Sequence, residues 1–212
     1  MFILKNYNYI SSLIQSLSNK TTFIVVTKNQ DINKINLLIN HNHFDFGENK
    51  VQEATLKWKE IISNNSKLKL HLIGKLQSNK AKDAFEIFHY IHTLDNEKLA
   101  QIFSKLEINS KKKIKYFIQV NIGNELQKNG ISVNKAYDFA RHCILDLKLN
   151  VIGLMCIPPI NDNPEQYFQE LAALAKKSNL NELSMGMSND YQCAIKNGAT
   201  FVRIGSKIFS EN

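Results

Sequence analysis

The chain has 212 residues, enough for one large domain and short of two full ones. With 43% hydrophobic and 22% charged residues it can bury a core of ordinary size, which excludes a disordered chain. The formal charge of +8 would suit an acidic partner such as nucleic acid, but the lysines are scattered. The one run, Lys111-Lys112-Lys113, reads as a solvated loop, so no nucleic-acid role is expected.

Cys143, Cys156 and Cys193 lack paired spacing and read as thiols in a reducing compartment. No apolar run is long enough to span a bilayer, and residues 1–20 lack the pattern of a secretion signal. The expectation is a cytoplasmic protein without membrane contact.

Residues 3–17 place Ile3, Tyr7, Ile10, Ile14 and Leu17 on one helical stripe. Residues 22–27, Thr-Phe-Ile-Val-Val-Thr, are continuously β-branched or aromatic, the pattern of a strand buried on both faces. That strand ends at Lys28, and a helix over 31–39 follows with Asp31 as its cap. The unit then recurs. Strands are expected at 42–46, 68–73, 89–94, 114–122 and 147–157. Helices are expected at 51–63, from Ser78, and at 96–107, 132–143 and 164–177. A strand at 182–185 turns at Gly186 into a helix opened by Ser188 or Asn189. A strand at 200–204 turns at Gly205 into a short helix from Ser206.

Eight strands alternating with helices predict a parallel sheet closed as a single (β/α)8 TIM-type barrel, with an N-terminal helix over 1–20 and the barrel over 21–212. In that fold the site lies where strands end, and Gly47, Gly74, Gly123, Gly186 and Gly205 all fall there.

Two consecutive turns, Gly186 to Ser188 and Gly205-Ser206, each end a strand on glycine and open a helix with a hydroxyl residue. Together they form a candidate phosphate clamp, with Arg203 just before the second. Lys28 shares that rim, and a desolvated lysine amine forms Schiff bases with aldehydes. An aldehyde and a phosphate on one small molecule suggest pyridoxal 5′-phosphate (PLP). Arg203 would face the pyridine nitrogen and leave it an unprotonated acceptor, which suits racemisation or storage. Asn49, His71 and Met187 are further candidates for the wall of the site. No His, Cys, Asp or Glu group has metal-ligand spacing.

The runs 46–53 (Phe-Gly-Glu-Asn-Lys-Val-Gln-Glu), 71–80 (His-Leu-Ile-Gly-Lys-Leu-Gln-Ser-Asn-Lys), 183–190 (Leu-Ser-Met-Gly-Met-Ser-Asn-Asp) and Arg203-Ile204-Gly205 resemble the pyridoxal phosphate homeostasis proteins. The resemblance spans the chain. It implies the fold-type III barrel, similar to the N-terminal domain of alanine racemase. It implies PLP held on Lys28 as an aldimine, its phosphate on Ser188, Gly205 and Ser206, and its ring nitrogen facing Arg203. It also implies storage and delivery of PLP, with PLP-dependent apoenzymes as recipients. After Lys28 the chain reads Asn29-Gln30 where the family has a Thr-Lys-Pro-like run, a loop difference that leaves the lysine in place.

A racemase of this barrel type has a second domain that supplies an opposing base. This chain has no room for one, and a single base on one face does not exchange protons on both. The expectation is therefore a binding protein without robust catalysis; an open barrel mouth is compatible with the expected monomer. The alternative is an amino-acid racemase or lyase acting with Lys28 alone.

Overall fold

The structure, a computed structural model, describes residues 2–211. A helix, α1 (Phe2–Leu17), precedes the first strand. The barrel strands are β1 (Thr22–Val26), β2 (Asp45–Glu48), β3 (Lys69–Leu72), β4 (Tyr90–Leu94), β5 (Lys115–Asn121), β7 (Val151–Met155), β8 (Glu182–Met187) and β9 (Phe201–Ile204). They are all parallel, each pairs with the next, β4 pairs with β5, and β1 closes on β9. This is the expected (β/α)8 barrel. A two-residue strand, β6 (Ile131–Ser132), pairs outside the ring with β5 and was not legible in the sequence.

The β-branched run of β1 is buried on both faces because helices cover its outer side and barrel packing its inner side. Ile24, Phe117, Met155 and Phe201 form a cluster separate from the main core. The larger core lies between strands and helices. In α1, Ile3, Tyr7, Ile10 and Ile14 are buried against neighbouring helices, while Leu17, at the end of the stripe, is exposed.

Several boundaries differ from the sequence reading for local reasons. β2 starts at Asp45 because Asn42 takes a left-handed φ of 61° in the turn that ends α2 (Ile32–Asn40). β7 starts at Val151 because Lys148, at φ 56°, turns the chain after α6 (Val133–Leu145). β8 continues through Gly186 to Met187, and α8 (Tyr191–Lys196) opens at Tyr191 with Asp190 as N-cap, so neither Ser188 nor Asn189 opens it. Gly186 has φ +91° at a register shift between β8 and β9. A Cβ there would lie 2.5 Å from the Ala194 Cβ. This glycine therefore lets α8 pack on the strand, and ligand approach is not what requires it.

Of the lysine run, Lys111 and Lys113 are exposed as expected, and Lys112 is half-buried. Lys112 donates to the Glu86 carbonyl at 2.7 Å and lies over the Phe85 ring, and burial lowers its pKa.

Candidate binding cleft at the barrel mouth

A cleft of about 570 Å³ opens where the strands end. Seven of the residues singled out from the sequence line it: Lys28, Asn49, Met187, Ser188, Arg203, Gly205 and Ser206. A hollow of about 750 Å³ on the outer helical layer, lined by Leu56, Ile62 and Ile87 among others, is larger. It lies away from the strand ends and gathers none of these groups.

Lys28 stands two residues beyond β1, exposed to the cleft, in a turn closed by the Gln30 N–H on the Thr27 carbonyl at 3.1 Å. The residues on both sides of it are fixed. The Thr27 hydroxyl donates to Glu48 at 2.8 Å, and the Asn29 N–H donates to Glu53 at 2.8 Å. The Lys57 ammonium joins these groups, donating to the Thr27 carbonyl (2.8 Å), Glu48 (2.8 Å) and Glu53 (3.0 Å). Trp58 donates its indole N–H to the same Glu48 oxygen at 2.9 Å. Burial raises the Glu53 pKa, but the Asn29 N–H and Lys57 outweigh it and hold the carboxyl below its ordinary value. Glu48, fully buried, keeps one oxygen without a hydrogen bond. The sequence reading missed this brace. Its signal was an acidic residue, Glu48, inside a strand otherwise buried.

On the far side, Gly205 follows β9, and a Cβ there would lie 2.9 Å from the Val26 carbonyl oxygen. The missing side chain brings the ends of β1 and β9 together beneath the cleft. Neither α8 nor α9 (Ser206–Phe209) has a side-chain N-cap, so their first N–H groups are left for solvent or a ligand. Arg203, 4% exposed, donates Nη1–H to Ser184 at 2.6 Å and Nη2–H to the Cys156 carbonyl at 3.0 Å. These bonds engage two of its five N–H donors. Burial lowers its pKa, with Cys156 and Asp190 acting the other way. Ile157, Pro158, Pro159 and Ile160 form a stiff apolar wall after β7. Lys128, in the loop after β5, donates to the Pro158 carbonyl at 3.2 Å and pairs with Glu125.

His71 does not line the cleft. It is fully buried inside the barrel, stacked on Tyr90 with ring centroids 4.3 Å apart and hydrogen-bonded to Asp45 and His92. Its position on β3 points it inward beneath the mouth, so the expected wall role is corrected to an interior one. Among the described residues no cluster of His, Cys, Asp or Glu could hold a metal ion, and no helix is long and apolar enough to cross a membrane.

The profile of the alanine racemase N-terminal domain matches residues 3–212. The pyridoxal phosphate homeostasis protein of Pasteurella multocida is 35% identical, over 88% of this chain and 84% of that one. The homologue of the same name in Vibrio cholerae is 34% identical, over 99% and 96%. The chain belongs to the pyridoxal phosphate homeostasis protein family. Among solved structures, PipY of Synechococcus elongatus with PLP bound superposes with a TM-score of 0.85 at 30% identity, covering 98% of this chain and all of that one. Alanine racemase of Corynebacterium glutamicum shares the barrel at 14% identity and a TM-score of 0.72. The family member described here spans 61% of that enzyme's length.

Proposed function

We propose that this protein binds pyridoxal 5′-phosphate in the cleft and serves PLP homeostasis by storage and delivery. The observation that carries the proposal is the convergence on one cleft of a lysine amine, a buried arginine with unused donors and two uncapped helix openings. That donor set fits an aldehyde, an aromatic nitrogen and a phosphate. Bound PLP supplies a reactive aldehyde and an electron-withdrawing ring. Lys28 is the covalent anchor. Ser188, Gly205 and Ser206 hold the phosphate, Arg203 faces the ring nitrogen, and Asn49 and Met187 flank the ring. The family name and the PLP-bound PipY structure support the reading.

The cleft favours binding over turnover. Besides Lys28, the groups lining it that accept protons are Asp162 and Asp190. Asp190 is engaged by the Met187 N–H at 2.6 Å, and Asp162 by the Tyr167 hydroxyl at 2.6 Å and the Asn163 N–H. One free amine on one face does not serve both faces of a substrate carbon. Location in the cytoplasm, a monomeric state and apoenzyme recipients belong to the same proposal.

The test is an absorption spectrum of the PLP-loaded protein before and after borohydride reduction, with mass mapping of the modified residue. Modification of Lys28 is expected, and modification elsewhere refutes the assignment. Incubation with amino acids in deuterated water decides against the racemase or lyase alternative if Cα exchange stays far below turnover rates.

A further inference from the structure

We propose that Asp45, at the opposite end of the barrel from the cleft, is a positioning residue for Arg203, acting through a hydrogen-bond line of fixed direction. The line runs from Arg203 through Ser184, His92 and His71 to Asp45. Its four links measure 2.6, 2.7, 3.0 and 3.0 Å. Ser184, His71 and His92 are fully buried, and Arg203 nearly so.

The direction follows from the carboxylate end, which only accepts. Burial holds both imidazoles below their ordinary pKa, so each is neutral and carries one ring proton. His71 therefore carries its proton on Nε2 and donates it to Asp45 Oδ1. Its Nδ1 is then an acceptor, so His92 carries its proton on Nε2 and donates it there. His92 Nδ1 in turn accepts from the Ser184 hydroxyl, whose oxygen accepts from Arg203 Nη1. The reverse order would leave the His71 Nε2 lone pair against the Asp45 carboxylate.

Among the described residues no carboxylate lies within ion-pair distance of Arg203, and Asp190 acts on it only at longer range. The buried cation is answered by aligned hydrogen bonds that end on a carboxylate at the start of β2. The line takes Nη1 of Arg203 and the Cys156 carbonyl takes Nη2, which fixes the plane of the guanidinium. Arg203 also lines the cleft, so its remaining donors are the ones it has left for a ligand there. Stacking of His92 on Phe117, with centroids 4.3 Å apart, and of His71 on Tyr90 keeps both rings in the plane the line needs.

The tautomer order stands on this chain's own side chains. Its effect on a ring nitrogen rests on the PLP reading above. The first test is a long-range ¹⁵N–¹H correlation spectrum of the PLP-free protein at neutral pH. Both His71 and His92 are expected as neutral Nε2–H tautomers. An Nδ1–H tautomer or a doubly protonated ring at either position overturns the proposal. The second test compares Asp45→Ala with Asp45→Asn, which keeps an oxygen for His71. Asp45→Ala is expected to change the His92 ring-nitrogen signals and to shift the absorption band of bound PLP, and Asp45→Asn to restore the His92 pattern. Unchanged His92 signals in Asp45→Ala overturn it. If Asp45→Ala fails to fold, the tautomers of the unaltered protein still decide. The expected tautomers in a protein that takes up no PLP would uphold the line and refute the PLP reading, so the two fail separately.

Discussion

On the β1–β2 side of the cleft, charge meets opposite charge in contact: Glu48 and Glu53 both reach the Lys57 ammonium, at 2.8 and 3.0 Å. On the β8–β9 side the hydrogen bonds of the buried Arg203 to the described residues go only to a hydroxyl and a carbonyl, and Asp45 lies four links away. The first arrangement braces the backbone around Lys28 and leaves that side chain exposed and able to move. The second fixes a side chain that lines the cleft. In the proposed function Lys28 takes up and releases an aldehyde, which suits the first kind of support, and Arg203 faces a ring, which suits the second.

The largest expected effect removes the anchor that the first side supports. Lys28→Ala is expected to abolish the covalent PLP absorption band while circular dichroism stays that of the folded barrel. A band that persists would move the site elsewhere. Next is the brace itself. Lys57→Met leaves Glu48 buried without its cation and is expected to cost about 3–5 kcal/mol in urea denaturation. A loss below about 1 kcal/mol would mean that Thr27 and Trp58 alone satisfy Glu48.

The two sides were not equally legible in the sequence. Lys28, Ser188, Arg203 and Ser206 sit at strand or helix ends, where position alone implies the rim. His71 was read as a wall residue because it stands near the end of a strand beside Leu72-Ile73-Gly74. It shares the inward face of β3 with Ile73, which lines the cleft, but lies one layer deeper, where it bonds Asp45 and His92, and neither partner is near in sequence. Gly186 was read as a ligand-side turn, but β8 runs on through it, and only the folded chain sets Ala194 behind it. The barrel was readable because each β-branched run is local. The line from Arg203 to Asp45 was not, because it joins five separate strands. Two histidines, His71 and His92, inside otherwise buried strands were its one visible trace.

Acid separates the two sides further. His43, which donates to the Asp45 carbonyl, has its pKa lowered to about 4 by burial, and His71 and His92 are lowered as well. In the unfolded chain these rings take up protons near pH 6.5, which the folded chain refuses until lower pH. The unfolded state thus binds more protons in that window, and stability rises with pH across it. It is fully present above about 6.5 and is lost as pH falls toward about 4. His43 alone contributes up to about 3 kcal/mol. Denaturation midpoints measured across that range check the sign, and a flat profile would show that the rings take up protons as readily in the fold as in the unfolded chain. Glu53, held ionised below its ordinary range, keeps the β1–β2 brace through the same window.

Arg203→Glu puts an acceptor where donors face the cleft. It is expected to change the absorption of bound PLP and to weaken its binding about 10- to 100-fold, the loss of one charge-assisted hydrogen bond. An unchanged spectrum would remove Arg203 from the ring nitrogen.

The smallest effect tests whether burial, and not pairing as such, makes the Lys57 brace strong. Lys113 reaches Glu107 Oε2 at 3.1 Å, close to the Lys57 distances, but its side chain is 59% exposed against 12% for Lys57. Glu107 is meanwhile held through its other oxygen by the Tyr116 hydroxyl at 2.9 Å and the Ile114 N–H at 3.1 Å. The Glu107 side chain is buried like that of Glu48, but the Lys113 end of the pair opens to solvent, where water can take the place of the ammonium, so Lys113→Met is expected to cost less than about 1 kcal/mol by the same denaturation assay. A cost equal to that of Lys57→Met would mean that contact distance sets the strength of both pairs. The contrast between the braced lysine side and the rest of the molecule would then lose its physical basis.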